Sequence, residues 1–290
     1  MKRIAVSGVS GFVGKRLLQY NRERFSIMPL LLREQHCDTL NLSGIEAVVH
    51  LAGKAHQMEP IDDQVYFDVN YELTRQLADR AKQEGVKQFI YISSTKVYGD
   101  DIQQVLNEQS PCRPTDAYGA SKLKAEQHVL SMANNHFKVA VVRPPLVYGP
   151  EVKGNMIRLL QLANTKYPLP FGNSRNARSM VFVDNLAALI NRIIEQRAGG
   201  IFVAGDQKPV ATDELIALMR KCLGKSRGLI TVPGFFRPVI KIIRPALYTR
   251  LFGSFVVDNQ VTNRQLDFTP PCSTEQGVAN MVNWFKQVNG

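Results

Sequence analysis

Near the amino terminus a short apolar run meets three glycines at a fixed interval, and few folds can use that arrangement. Lys2-Arg-Ile-Ala-Val-Ser-Gly8 has the β-branched and small residues of a strand, Gly8, Gly11 and Gly14 follow at intervals of three, and residues 12–19 have helical composition. Strand, glycine turn and helix in this order open a dinucleotide-binding unit. Gly8 permits the tight turn, Gly11 lets the backbone approach a pyrophosphate, and Gly14 lets helix and strand pack closely. The helix start, with Phe12 and Val13, then holds the phosphates.

The rest of the first half repeats the alternation. Residues 25–32, 47–51, 88–93 and 138–143 read as strands, and an amphipathic helix starts at Asp68. Strands alternating with helices describe an α/β fold with a doubly wound parallel sheet, so residues 1–150 are assigned to a dinucleotide-binding domain of Rossmann type. After Pro150 the pattern becomes irregular and proline-rich, with helices expected over 155–164, 185–195, 212–223 and 274–288. Residues 151–290 are therefore expected to form a smaller α/β substrate lobe that shares the core.

Composition narrows the function classes. A chain of 290 residues with 44% hydrophobic content can bury a full core. No apolar run reaches the roughly 18 residues of a spanning helix, and Met1-Lys-Arg leads straight into a strand, so a cytoplasmic protein is expected. Four separated cysteines show no metal-ligand spacing, and no metal is expected. The net charge of +11 comes without a recognition helix, zinc motif or aromatic-basic motif. It therefore reads as a field for anionic cofactor and substrate phosphates, with no nucleic-acid partner. The stretch 235–252 mixes bulky apolar and cationic residues, but Pro238 and Pro245 break it. It reads as a substrate-covering or self-association surface, compatible with a homodimer, rather than an integral membrane segment.

The chemistry centres on Tyr118-Gly-Ala-Ser-Lys122, which opens a run of helix formers. Residues four apart share a helix face, and a cation beside a phenol favours the phenolate, so Lys122 is expected to draw Tyr118 towards working pH. Ser93-Ser94-Thr95 follows the strand ending at residue 92.

Five motifs then stand in one order: the glycines, His50-Leu-Ala-Gly53, Ser93-Ser-Thr-Lys-Val-Tyr-Gly99, Tyr118-x-x-x-Lys122 and Arg143-Pro-Pro-Leu-Val-Tyr-Gly-Pro150. Together they resemble the extended short-chain dehydrogenase/reductase family, the NAD-dependent epimerases and dehydratases of nucleotide sugars. The resemblance implies that Ser94, with Ser93 as the alternative, hydrogen-bonds the reacting oxygen. Tyr118 moves the proton, and Lys122 serves both catalysis and the nicotinamide ribose. It adds Leu51, Ala52, Gly53, Asn70 and Pro145 to the cofactor site. Arg33, at the second strand's end, suits the 2′-phosphate of NADP where an acid would suit NAD, so NADP is favoured over NAD. Between Arg33 and Ala47 the chain is too short for the family's usual helix, strand and helix.

The same resemblance places Thr95, Asn155 and Arg178 on the substrate with Ser94. Thr95-Lys96 stands where the 4,6-dehydratases carry Asp-Glu, which argues against dehydration. The expected function is hydride transfer at C4 of a UDP-sugar, as a 4-ketoreductase of a UDP-4-keto-6-deoxy-N-acetylhexosamine in surface polysaccharide synthesis. The alternatives are a 4-epimerase of UDP-glucose or UDP-N-acetylglucosamine, and a non-catalytic dinucleotide sensor or nucleic-acid-binding relative.

Overall fold

Strands buried on both faces pair in parallel only when helices cover each face, and the strands of this chain have that character. The computed structural model describes residues 1–55, 61–100, 104–174, 176–231 and 253–289. Strand β1 (Arg3–Ser7) leads through the glycine turn into α1 (Phe12–Tyr20), and β2 (Ser26–Leu30) and β3 (Ala47–His50) follow. Next come α2 (Asp63–Tyr66), a π-helical stretch (Phe67–Glu72) and α3 (Leu73–Gln83), then β4 (Gln88–Ile92), α4 (Ala117–Ser131) and β5 (Lys138–Arg143).

The second half contains β6 (Leu146–Tyr148), α5 (Asn155–Ala163), β7 (Leu169–Gly172), β8 (Met180–Phe182), α6 (Val183–Gln196) and β9 (Gly200–Val203). It closes with α7 (Thr212–Cys222), β10 (Leu229–Thr231), α8 (Gln260–Leu266) and α9 (Thr274–Asn289).

The main sheet has the order β2-β1-β3-β4-β5-β9, and every pair is parallel. Order reverses on either side of β1, which creates the crevice where doubly wound sheets bind ligands. Side chains alternate across the sheet with the strand period of two. Ile4, Val6, Val49 and Val142 meet Leu17 of α1 and Ile190 of α6, whereas Ala5, Val48, Phe89 and Val141 meet Leu77 of α3 and Val129 of α4. Each fully buried Val, Leu, Ile or Phe side chain among them contributes about 1.5–3 kcal/mol.

The chain does not leave this layer at residue 150. Strand β9 pairs with β5, and α6 is fixed to α1 by a 2.7 Å bond from Arg16 Nη2 to Asp184 Oδ2 and one of 2.6 Å between Asn191 and Asn21. The main-sheet layer thus draws on both sides of the expected boundary. A separate core of Tyr148, Leu160, Phe182, Ile216 and Val282 holds the second lobe. Its β6–β8 and β7–β10 pairs are short parallel ladders. Among the described residues no helix is long and apolar enough to cross a membrane. The stretch 235–252 lies outside the described residues.

Candidate active site

Strand β4 ends at Ile92, and the ladder continues one step further, where the Ser93 amide donates to Val142 O at 2.8 Å. Ser94 is extended, and its Oγ caps the 3-10 turn Thr95–Tyr98 by accepting from the Lys96 amide at 3.2 Å. Across from it, Asp116 caps α4 by accepting from the Gly119 amide at 2.7 Å. Two caps therefore bring a strand end and a helix start together, with Ser94 on one and Tyr118 on the other.

Ser94 hydrogen-bonds Tyr118, and this bond acts against burial, which pushes the phenol's pKa up. Asp116 and the Tyr66 ring, edge-on at 5.9 Å, push in the same direction as burial. The expectation that Lys122 draws Tyr118 down towards neutrality is thus corrected: burial dominates, and the interaction that opposes it comes from Ser94 and not from Lys122. Lys122 is itself buried, donates to Ile92 O at 3.0 Å and lies 4.8 Å over the Tyr91 ring. Burial lowers its pKa to about 8, with Glu126, one turn further along α4, opposing. Ser94 rather than Ser93 makes the contact to Tyr118.

Beside the pair, the glycine turn has the form the sequence implies. Gly8 has φ +73°, and a Cβ there would stand 2.5 Å from the Ala52 amide nitrogen. A Cβ on Gly14 would stand 2.2 Å from Gly8 O, so neither position accepts a larger residue without movement. Gly11 caps α1 with no side-chain hydrogen bond, which leaves the first amides, at Phe12 and Val13, for an anion. These features fit a dinucleotide pyrophosphate.

Asn70 is fully buried and lies in the π-helical stretch. Its side chain accepts from the Lys54 amide at 2.8 Å and donates to Lys54 O at 3.2 Å and to Ser121 Oγ at 3.1 Å. Its carbonyl accepts from Thr74 Oγ1 at 2.7 Å and from the Tyr91 hydroxyl at 3.3 Å. A Cβ on Gly53 would lie 2.9 Å from Asn70 Oδ1 and 3.2 Å from Lys122 Nζ, so these three residues converge.

Beneath them runs a network that sequence reasoning missed. Ser7 Oγ meets His50 Nδ1 at 2.6 Å and accepts from the Ala52 amide at 3.2 Å, while His50 Nε2 meets Thr74 Oγ1 at 2.9 Å. Burial, with a smaller push from Lys122, lowers the His50 pKa to about 3, so the imidazole is neutral and can link two hydroxyls. Arg143 and Glu126 form a buried ion pair at 2.6 Å, and Arg143 Nη1 donates to the Tyr98 hydroxyl at 3.0 Å. The partners of this ion pair stand 17 residues apart on α4 and β5, so no local spacing signals it.

Of the remaining expected residues, some lie close by and others further out. Leu51 and Ala52 follow β3 half-buried, Pro145 is buried between β5 and β6, and Thr95 is buried with its amide on Pro144 O at 3.0 Å. Arg33 is exposed beyond the end of β2. Arg178 is half-buried, its Nη1 donates to Gly253 O at 3.2 Å, and Asp100 offsets the desolvation that lowers its pKa. Asn155 is exposed at the start of α5, and no contact among the described residues joins it to Ser94, Tyr118 or Lys122. Among the described residues no cluster could hold a metal ion.

Comparison with known proteins gives a consistent picture. The model of the NAD dependent epimerase/dehydratase family matches residues 4–205. A UDP-glucose 4-epimerase of Vibrio cholerae is 33% identical, over 86% of this chain and 80% of its own. An N-acetyl-alpha-D-glucosaminyl-diphospho-ditrans,octacis-undecaprenol 4-epimerase of Escherichia coli O157:H7 is 29% identical, over 79% and 75% respectively. RMD from Pseudomonas aeruginosa, solved with NADPH, has the same fold at a TM-score of 0.80, with 22% identity over 99% of this chain and 100% of its own.

Proposed function

The chain belongs to the NAD dependent epimerase/dehydratase family, and from that premise we propose that it reduces a UDP-4-keto-6-deoxy-N-acetylhexosamine at C4, in the cytoplasmic synthesis of a surface polysaccharide. Hydride comes from the nicotinamide when the cofactor is bound. The chain's own residues position the sugar and supply the proton.

The observation that supports this reading is the Ser94–Tyr118 hydrogen bond, which joins the end of β4 to the start of α4. A phenol whose pKa is raised keeps its proton at neutral pH and serves as a general acid towards a carbonyl oxygen. Ser94 steadies that same oxygen, and Lys122 with Asn70 and Gly53 forms the floor for the nicotinamide ribose. Dehydration would need further acid/base groups after Ser94. Thr95 is buried there and Lys96 is held in ion pairs with Asp100 and Asp116, so proton and hydride both belong at one carbon. Arg178 and Asn155 are assigned to the nucleotide diphosphate and sugar.

The cofactor reading follows the same logic. Between β2 and β3 the described chain forms one 3-10 turn, Cys37–Thr39, which leaves little protein over an adenosine. A cofactor held lightly on that side suits release after each turnover. Arg33 adds a cation for the extra phosphate of NADPH.

A 4-epimerase is the second reading, favoured by the names of the Vibrio cholerae and Escherichia coli relatives. Purified protein should oxidise added NADPH in stoichiometric amount with UDP-4-keto-6-deoxy-N-acetylglucosamine. Interconversion of UDP-N-acetylglucosamine and UDP-N-acetylgalactosamine without added nicotinamide, and no net oxidation, would install the epimerase reading instead.

A further inference from the structure

Lys96 stands two residues after Ser94 and touches both Ser94 and the first turn of the helix that carries Tyr118. Its amide donates to Ser94 Oγ at 3.2 Å, and its carbonyl lies where a Cβ on Gly119 would approach to 2.7 Å, against the first turn of α4. Its ammonium is 3.3 Å from Asp116 Oδ2 and is also ion-paired with Asp100. The other Asp116 oxygen holds the Gly119 amide at 2.7 Å, and Asp100 accepts from Thr115 Oγ1 at 2.9 Å. One side chain thus joins the turn that carries Ser94 to the cap of the helix that carries Tyr118.

Resting on the assignment of Tyr118 as proton donor, we infer that Lys96 is a positioning residue that locks the Ser94 turn onto α4 and cancels the charge of Asp116 beside Tyr118. Both parts follow from the contacts. The phenol is faced by Ser94 from the turn after β4, by Tyr66 from α2, and by Asp116 and Lys122 from its own helix. Asp100 and Lys96 stand behind Asp116. The Lys122 ammonium is engaged by Ile92 O, whereas Lys96 is placed on the Asp116 carboxylate itself. Asp116 disfavours the phenolate, so a cation on Asp116 weakens that push. With the Lys96 and Asp116 side chains 30% and 28% exposed, water screens the ion pair only in part.

The arrangement also reaches the substrate lobe. Asp100, held by Lys96, is the charge that offsets desolvation of Arg178. Lys96 thereby links the proton donor to the arginine assigned to the diphosphate.

The test is a spectroscopic titration of the Tyr118 phenol in the full-length, cofactor-free protein. Each protein is paired with its own Tyr118→Phe partner, so that the difference in tyrosinate absorbance reports this one phenol. Lys96→Met is expected to move the titration up by about half a pH unit or more, and Lys96→Arg is expected to bring it back. Asp116→Asn keeps a capping side chain and is expected to move it down. An unchanged titration in either Lys96→Met or Asp116→Asn overturns the inference. NADPH-dependent turnover should fall about tenfold in Lys96→Met from the misplaced pair and recover in Lys96→Arg. A turnover loss without a shift in the titration leaves Lys96 a structural lysine and also overturns it. Because the titration needs no substrate, failure of every UDP-sugar would count against the proposed function and leave this result standing.

Discussion

In the proposed reduction Tyr118 gives a proton rather than taking one. Burial, Asp116 and Tyr66 all disfavour the phenolate, and the Ser94 hydrogen bond alone opposes them. Tyr118→Phe should therefore lower turnover at least about a hundredfold while cofactor affinity, followed by NADPH fluorescence, stays near wild type. Lys122→Met should lower both turnover and cofactor affinity. It should not lower the melting temperature, since it removes a buried ammonium in favour of an apolar chain. Equal cofactor binding in the two variants would remove the ribose role from Lys122. At this scale the common helix face of Tyr118 and Lys122 was legible, because a four-residue spacing fixes it whatever surrounds it. The direction of the Tyr118 shift was not, since desolvation depends on what packs around the phenol, and Tyr66 comes from 52 residues away in sequence.

Among the elements, the glycine turn was the most legible, because positive φ at Gly8 and the close approach at Gly14 exclude other residues on steric grounds alone. Asn70 was legible as a residue but not as part of a π-helical stretch. Its buried carbonyl, taken by Thr74 and Tyr91, depends on a helical register that composition does not encode. The helix expected from Asp68 begins earlier, at Asp63, where Asp62 caps it by accepting from the Gln64 amide at 2.9 Å. The β2–β3 connection matters most for cofactor choice. Arg33→Ala should weaken NADPH binding more than NADH binding, by about tenfold for one phosphate contact, as measured by parallel titrations. Equal losses would make Arg33 a surface charge.

The whole molecule is a parallel sheet whose sixth strand comes from beyond the expected domain boundary. The first five strands were readable because buried parallel strands leave continuous apolar runs. Strand β9, only Gly200–Val203, and the three-residue β6, β8 and β10 are too short to show a period, so their pairing rests on tertiary contacts. The second lobe was therefore visible as helices without its ladders. In the proposed function this arrangement holds Ser94, Tyr118 and Lys122 beside the glycine turn for transfer of one hydride to one carbon. NADPH carrying deuterium at the transferable ring position tests this most directly, with UDP-4-keto-6-deoxy-N-acetylglucosamine as acceptor and the product read by NMR. The account predicts one deuterium at C4 of the sugar for each NADPH oxidised. Deuterium at C5 or C6, or a product without label and no oxidised cofactor, would contradict it.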